Sequence, residues 1–341
     1  MKQRSRFLLV MVAILAVGVL FAGYAQAAEK QIVLRYAGNF PQKHFMTKMM
    51  EDWVKLVQER TKNRVKIELY PAGQLYTDKD LDRALSSGAV DLGQAQANVL
   101  AGTVPASHLL DFSMLWDNWV HFDRVIHEKG GFDIIDKDAR AHNMKEIFIM
   151  PYGLTNGPIT NKKKVVTHED MKGLKIRAMG GSIAKTLQAL GATPVFIGAG
   201  EVYQALQRGT IDGAVSGPTS MSDRGWGEIT KYYWTMPYCP ATCGHTVMNL
   251  NAWNKLPADI QKIFLAAGRE IELKYRNEVV EKENQDAFAK LQKAGVELVH
   301  PTQEEIAKCR ELVKPVIEEW ATKSKPSREL IDLANRERGK K

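Results

Sequence analysis

The stretch His168-Glu169-Asp170-Met171-Lys172-Gly173-Leu174-Lys175-Ile176-Arg177 reads as a lysine-rich turn, a glycine and a short strand. In that strand Lys175 and Arg177 fall on the same side, because side chains two apart share a face. Arg177 stands at the carboxyl end, the edge at which open α/β sheets bind ligands. A guanidinium there can hold a carboxylate through two parallel hydrogen bonds, which a lysine ammonium cannot do. A surface arginine paired with a neighbouring acid would give the same residues, and spacing alone leaves both readings open.

Outward from this segment, the chain alternates. Lys145 to Met150, Leu174 to Ala178, Thr193 to Ile197 and Ile211 to Val215 read as short strands, grouped as a second lobe. Helices near Ser182 to Leu190 and Glu201 to Gln207 lie between them, which describes a wound α/β sheet. Upstream, Ile32 to Tyr36 reads as a first strand, and Gly38-Asn39-Phe40-Pro41 as the loop after it. A helix follows with Phe45, Met49, Trp53 and Val57 four apart, then an alternating strand at Val65, Ile67 and Leu69. This β-α-β opening predicts a first, parallel lobe. Ala84 to Asp91 and Ala205 to Asp212 echo each other, each a helix that ends at a glycine and feeds a strand.

From Pro257 to Lys293 the pattern predicts one long helix, with Ile260, Ile263, Ala267, Ile271 and Tyr275 in period and Phe288 and Leu291 resuming it. At 1.5 Å per residue it would run roughly 55 Å, enough to brace both lobes, with Gly268 or Asn284 as candidate breaks. The expected organisation is residues 28–152 plus about 243–283 for lobe I, and 153–242 plus about 284–330 for lobe II. Residues 331–341 read as a basic tail.

Residues 1–27 have the layout of a secretory signal: basic Lys2, Arg4 and Arg6, the apolar run Phe7 to Ala22, then Ala25-Gln26-Ala27. The apolar run is shorter than the ~20 residues of a membrane span, so removal is expected rather than anchoring. The formal charge of +8 then drops by three, to +5. A mildly positive field draws anionic solutes. No arginine stripe or aromatic-basic motif points to nucleic acid. Cys239, Cys243 and Cys309 are the only cysteines. An oxidising compartment permits a Cys239–Cys243 bridge, and no second Cys or His pair stands at zinc-ligand spacing. Neither a metal nor a cofactor is expected.

Four motifs in order carry a resemblance: Asp170 to Arg177, Gly191-Ala192-Thr193-Pro194, Glu201-Val202-Tyr203-Gln204-Ala205-Leu206-Gln207, and Asp212-Gly213. With Pro71-Ala72-Gly73-Gln74-Leu75 and the segment Asn249 to Gln261, the chain resembles the solute receptors of TRAP transporters over nearly its whole mature length. The resemblance implies an α/β, two-lobed clamshell of the type II-like periplasmic-binding-protein kind, with a long bracing helix. It implies no enzyme activity, a periplasmic location, a small organic carboxylate as ligand and delivery to TRAP permease subunits in the membrane. It also implies that Arg177 holds the ligand carboxylate.

Other candidate site residues rest on position. Gln94, Gln96 and Asn98 alternate after the Asp91 strand, and Gln96 falls where some relatives carry an acid. Asn39 and His44 lie on the first loop. Asn156 stands where some members have a second arginine. Ser216 and Thr219 take the place of a charged pair after Asp212-Gly213, and Trp116 is a candidate wall for an apolar or aromatic end. These departures point to a monocarboxylate, with an aromatic acid or a 2-oxo or 2-hydroxy acid as candidates. The competing functions are an ATP-driven importer's binding protein, a ligand-sensing receptor and a secreted enzyme. No nucleophile elbow, zinc set or phosphate-cradling loop supports the last.

Overall fold

The structure, a computed structural model, describes residues 31–340, so the expected signal at 1–27 lies outside the described residues. The first alternating segments form β1 (Ile32–Ala37), β2 (Val65–Tyr70) and β3 (Leu92–Gln96). Leu34, Tyr36, Val65 and Ile67 point inward, while Arg35 and Lys66 face water. Helix α1 (Phe45–Arg60) lays Met46, Met49, Trp53 and Val57 on that face. Helix α2 (Leu81–Ser87) closes at Gly88, whose φ of 80° is the left-handed turn that lets the chain drop directly into β3.

The remaining elements follow in order: α3 (Gly131–Ala141), β4 (Met144–Asn156), β5 (Ile159–Thr160), β6 (Lys175–Arg177), α4 (Gly181–Ala189) and β7 (Thr193–Val195). Next come α5 (Val202–Arg208), β8 (Gly213–Ala214), α6 (Pro218–Asp223), β9 (Tyr232–Trp234) and β10 (Pro237–Asn249). The chain closes with α7 (Ala258–Tyr275), α8 (Glu281–Lys293), β11 (Glu297–Val299), α9 (Gln303–Ala321) and α10 (Lys325–Glu337). Two sheets result, ordered β2-β1-β3-β10-β4 and β11-β9-β5-β8-β6-β7. In the first, β1 runs parallel to β2 and β3, and β10 is antiparallel to β3 and β4. In the second, β6 is parallel to β7 and β8.

Three expectations are corrected. The Lys145 to Met150 strand, grouped with the second-lobe pattern, is part of β4 in the first sheet and pairs along β10. Every residue from Met144 to Pro151 is buried, so the run lacks the alternation that would assign it to a sheet. The helix from Ala258 breaks at neither Gly268 nor Asn284; it widens into a π turn at Arg276–Val280 and continues as α8. Residues 331–340 are not a tail: α10 runs to Glu337 and buries Leu330, Ile331, Leu333 and Ala334. Arg338 then pairs with Asp117 and donates to the Leu115 carbonyl at 2.7 Å. Charge alone hid an amphipathic helix.

The chain passes between the sheets at three places. Only two residues separate β4 from β5, and two separate β9 from β10. The third passage is the long helix: Phe264, Ala267 and Ile271 join the first-sheet core, while Leu291 packs with Trp226 and Tyr233 of the second. No described helix is long and apolar enough to cross a membrane. All three cysteines are buried and free, with the Cys239 thiol 3.9 Å from the Leu110 carbonyl and Cys243 3.2 Å from Ala241. The permitted Cys239–Cys243 bridge is therefore not formed in this structure.

Gly268 marks where α7 presses hardest on β4. A Cβ there would lie 2.5 Å from the Phe148 Cβ and 2.9 Å from its Cγ. Alanine would gain about 1 kcal/mol of helix propensity, but overpacking of this kind costs roughly 1–3 kcal/mol. Gly268→Ala is expected to lower stability by about 1 kcal/mol in urea unfolding. A stabilised variant would show that the helix stands off the sheet.

Candidate ligand-binding site

A cavity of about 320 Å³ opens between the two sheets. The first-sheet side supplies Asn39, Phe40 and Pro41 after β1, Asp78, Gln96 and Asn98 around β3, Asp111, and Tyr152, Thr155 and Thr242 from β4 and β10. The second-sheet side supplies Arg177, Met179, Ala199, Ser216, Gly217, Ser220 and Arg224. Its size is at the small end of the range typical of small-molecule sites.

Arg177 ends β6, and its strand neighbours fix where its guanidinium can go. Nε donates to the Ile197 carbonyl at 3.2 Å, and Nη1 to the Val215 carbonyl at 3.1 Å. The residue is 7% exposed and, among the described residues, makes no ion pair with a carboxylate. Burial, then the charge of Arg224, pushes its pKa down to about 10, so it stays protonated at neutral pH. Arg224 follows α6 at the exposed rim, where Nε donates to the Ser220 hydroxyl at 3.3 Å.

Opposite them, Asp111 ends a 3₁₀ turn, Leu109–Asp111, beside β10. It is 7% exposed, and its Oδ1 has no hydrogen-bond partner. Burial raises its pKa to about 7, against the lowering influence of Thr242, Cys239 and His245. The side chain of Asn39 likewise leaves Nδ2 unpartnered. The wall next to these groups is aromatic. Phe40 and Tyr152 stack at 5.8 Å between ring centroids, and His44 lies 4.4 Å from Phe40.

The structure therefore brings Arg177, Gln96, Asn39, Asn98 and Ser216 to one cavity, and leaves the other four candidates outside its lining. His44 caps α1, its Nδ1 accepting from the Met46 amide at 3.1 Å. Burial pushes its pKa down to about 4, which keeps that nitrogen an acceptor. Asn156 is buried at the end of β4, close to Tyr233. Thr219 lies behind Tyr152, facing a neighbouring groove with His44 and Asp223. Trp116 is 1% exposed in the core, with Nε1 donating to the Leu109 carbonyl at 2.8 Å. Asp111, Thr155, Thr242 and Arg224 were missed. Thr242 lies in β10, where Pro237 and Pro240 and four register shifts conceal a strand.

Among the described residues, two side-chain groups have metal-ligating composition, and neither lines the cavity. In one, Glu305 accepts from the His168 amide at 2.6 Å and the His168 Nδ1 at 2.7 Å, with Cys309 beside it. In the other, Asp123, His127 and Glu272 meet Arg269 and Arg276 at the start of the π turn. Arg276 reaches Asp123 at 2.9 Å, and Arg269 reaches Glu272 at 3.0 Å. Two guanidiniums already neutralise those carboxylates.

A cleft between two α/β lobes, lined by a buried guanidinium that meets no carboxylate among the described residues, suits the capture of an anion. Comparison with known proteins agrees. The family model for bacterial extracellular solute-binding protein, family 7, matches residues 36–324. A monocarboxylate 2-oxoacid-binding periplasmic protein from Nostoc sp. is 29% identical, over 80% of this chain and 75% of its own. The C4-dicarboxylate-binding periplasmic protein DctP of Rhodobacter capsulatus is also 29% identical, over 78% of this chain and 79% of its own. A crystal structure of a TRAP periplasmic solute-binding protein from Ochrobactrum anthropi superposes with a TM-score of 0.83 at 23% identity. It covers 92% of this chain and 98% of that one. The chain belongs to family 7 of the bacterial extracellular solute-binding proteins, the DctP family, and is a solute receptor, not an enzyme.

Proposed function

We propose that the protein captures a small monocarboxylic acid and delivers it to TRAP permease subunits, working in the periplasm after removal of a signal near Ala27. The observation that carries the ligand class is Arg177, a buried cation lining the cavity that makes no ion pair among the described residues. Two relatives of equal identity are named for different ligands, a monocarboxylate 2-oxoacid and a C4-dicarboxylate, so their names do not choose. Local charge supports the first. Arg177 and Arg224 face Asp78 and Asp111 across the cavity. Of the two cations only Arg177 is buried, while Arg224 stands exposed at the rim, which suits one tightly held carboxylate.

Capture works as a two-state closure. The acid meets Arg177 on the second lobe, and polar groups of the first lobe, Gln96, Asn98 and Asn39, then close onto its far side. The closed surface is what the permease would recognise. The apolar-then-small N-terminal sequence supports export.

Arg177→Ala should weaken binding of the best acid in a thermal-shift panel by at least tenfold, since losing one partner of a buried charged pair costs roughly 2–5 kcal/mol. Arg177→Lys should lose nearly as much, because an ammonium cannot hold the Ile197 and Val215 carbonyls and also present a fork. Unchanged affinity by calorimetry in both variants would remove Arg177 from the site. Arg224 separates the ligand classes. For a monocarboxylate, Arg224→Ala should cost only about two- to fivefold and flatten the salt dependence. A loss as large as that of Arg177→Ala would mark a dicarboxylate instead.

A further inference from the structure

Asp111 is the cavity group with no explanation in carboxylate capture alone. An acid beside the site for an anion repels it when ionised, yet the carboxyl lines the same cavity as Arg177. It is more than nine-tenths buried, makes no ion pair among the described residues, and leaves Oδ1 without a partner. Buried polar atoms in native proteins are almost always satisfied, so an orphan aimed into a binding cavity marks where a ligand atom arrives. An ionised carboxylate could not be left so. A protonated one has an O–H to give.

We propose that Asp111 is a specificity-determining residue which, carrying its proton, donates a hydrogen bond to a carbonyl or hydroxyl oxygen of the bound acid, so that the ligand is an oxo- or hydroxy-substituted carboxylic acid. This rests on the organic-acid reading above and narrows it. The groups facing Asp111 keep the proton in place. On β10 it meets Cys239, Cys243, Thr242 and His245, and from β4 Tyr152. Across the cavity stand Arg177, Arg224 and Asp78. Burial outweighs the lowering influence of Thr242, Cys239 and His245 and raises the carboxyl to about 7.

The two ligand types then respond to pH differently. A carbonyl oxygen only accepts, so it is served by protonated Asp111 alone. A hydroxyl both donates and accepts, so it finds a partner in either state of the carboxyl. An oxo acid should lose its advantage as pH rises through the titration of Asp111, and a hydroxy acid should keep it.

Isothermal titration with pyruvate, lactate and propionate at about pH 6 and about pH 9 tests this. At the lower pH, pyruvate and lactate should each bind at least tenfold tighter than propionate. At the higher pH the pyruvate advantage should fall to within about twofold while that of lactate persists. Asp111→Asn, an amide that donates at every pH, should keep the pyruvate advantage throughout. Asp111→Leu should abolish both advantages, bringing pyruvate and lactate to within about twofold of propionate. Equal binding of the three acids at the lower pH, or discrimination that survives in Asp111→Leu, overturns the proposal and leaves carboxylate capture standing. If none of them binds, nor 2-oxobutyrate nor glucuronate, the organic-acid reading falls and takes this one with it. A ligand-free arm uses urea unfolding. The native state holds this proton longer than the unfolded chain, so Asp111 should contribute a downward slope in stability as pH rises from about 4 to about 7, opposite in sign to that of His44 and His108. Asp111→Asn should remove that slope, and identical slopes would show an ordinary, hydrated carboxylate.

Discussion

A guanidinium that spends two of its donors on main-chain carbonyls and has no carboxylate of its own is an unbalanced charge kept in a fixed place. Removing such a cation from water is costly, and the protein recovers little of that cost from the Ile197 and Val215 carbonyls alone. The missing counter-charge has to come from outside. The need for an anion therefore organises the second lobe: β6 is only three residues long, and its end is where the cavity begins. A rigid sheet edge sets the position of the charge before any ligand arrives, so little reorganisation is left to oppose binding.

The opposite lobe answers with mostly uncharged polarity beside its two acids, Asp78 and Asp111. Gln96, Asn98 and Asn39 bring amides, and Thr155 and Thr242 bring hydroxyls. Such groups satisfy a ligand's remaining atoms at low desolvation cost and add no second charge. Pocket charge is thus asymmetric by lobe, with both guanidiniums on one side and amides, hydroxyls and two carboxyls on the other.

How much of this was legible in sequence follows from the physics of each element. Periodicity exposed the half-buried strands β1 and β2 and the stripe of α1, since each shows one face to water. Gly88 and Gly209 betrayed matching helix ends because only glycine takes those φ values, 80° and 69°, without strain. Arg177 was singled out by position and resemblance together, and it lines the cavity. Burial defeats the same logic. Buried on both faces over most of its length, β4 has no alternation to read, and β10 is interrupted by prolines and bulges. Asp111 and Thr242 were missed for that reason: their meeting depends on β10 lying beside the turn that ends at Asp111. Trp116 and Thr219 show the converse error. Residue type suggested contact with a ligand, but their nearest neighbours are core and helix.

The π turn at Arg276–Val280 gives the long helix a property that a regular one would lack. Each additional residue in a turn sets the downstream apolar stripe back by roughly 100° of azimuth. Upstream of it, Ile260, Phe264, Ala267 and Ile271 address one core; downstream, Ala287 and Leu291 face another direction. The wide turn acts as a phase adapter, letting one rod serve two hydrophobic surfaces whose orientations do not match. It also explains why the apolar period falters between Tyr275 and Phe288 although the helix itself does not stop.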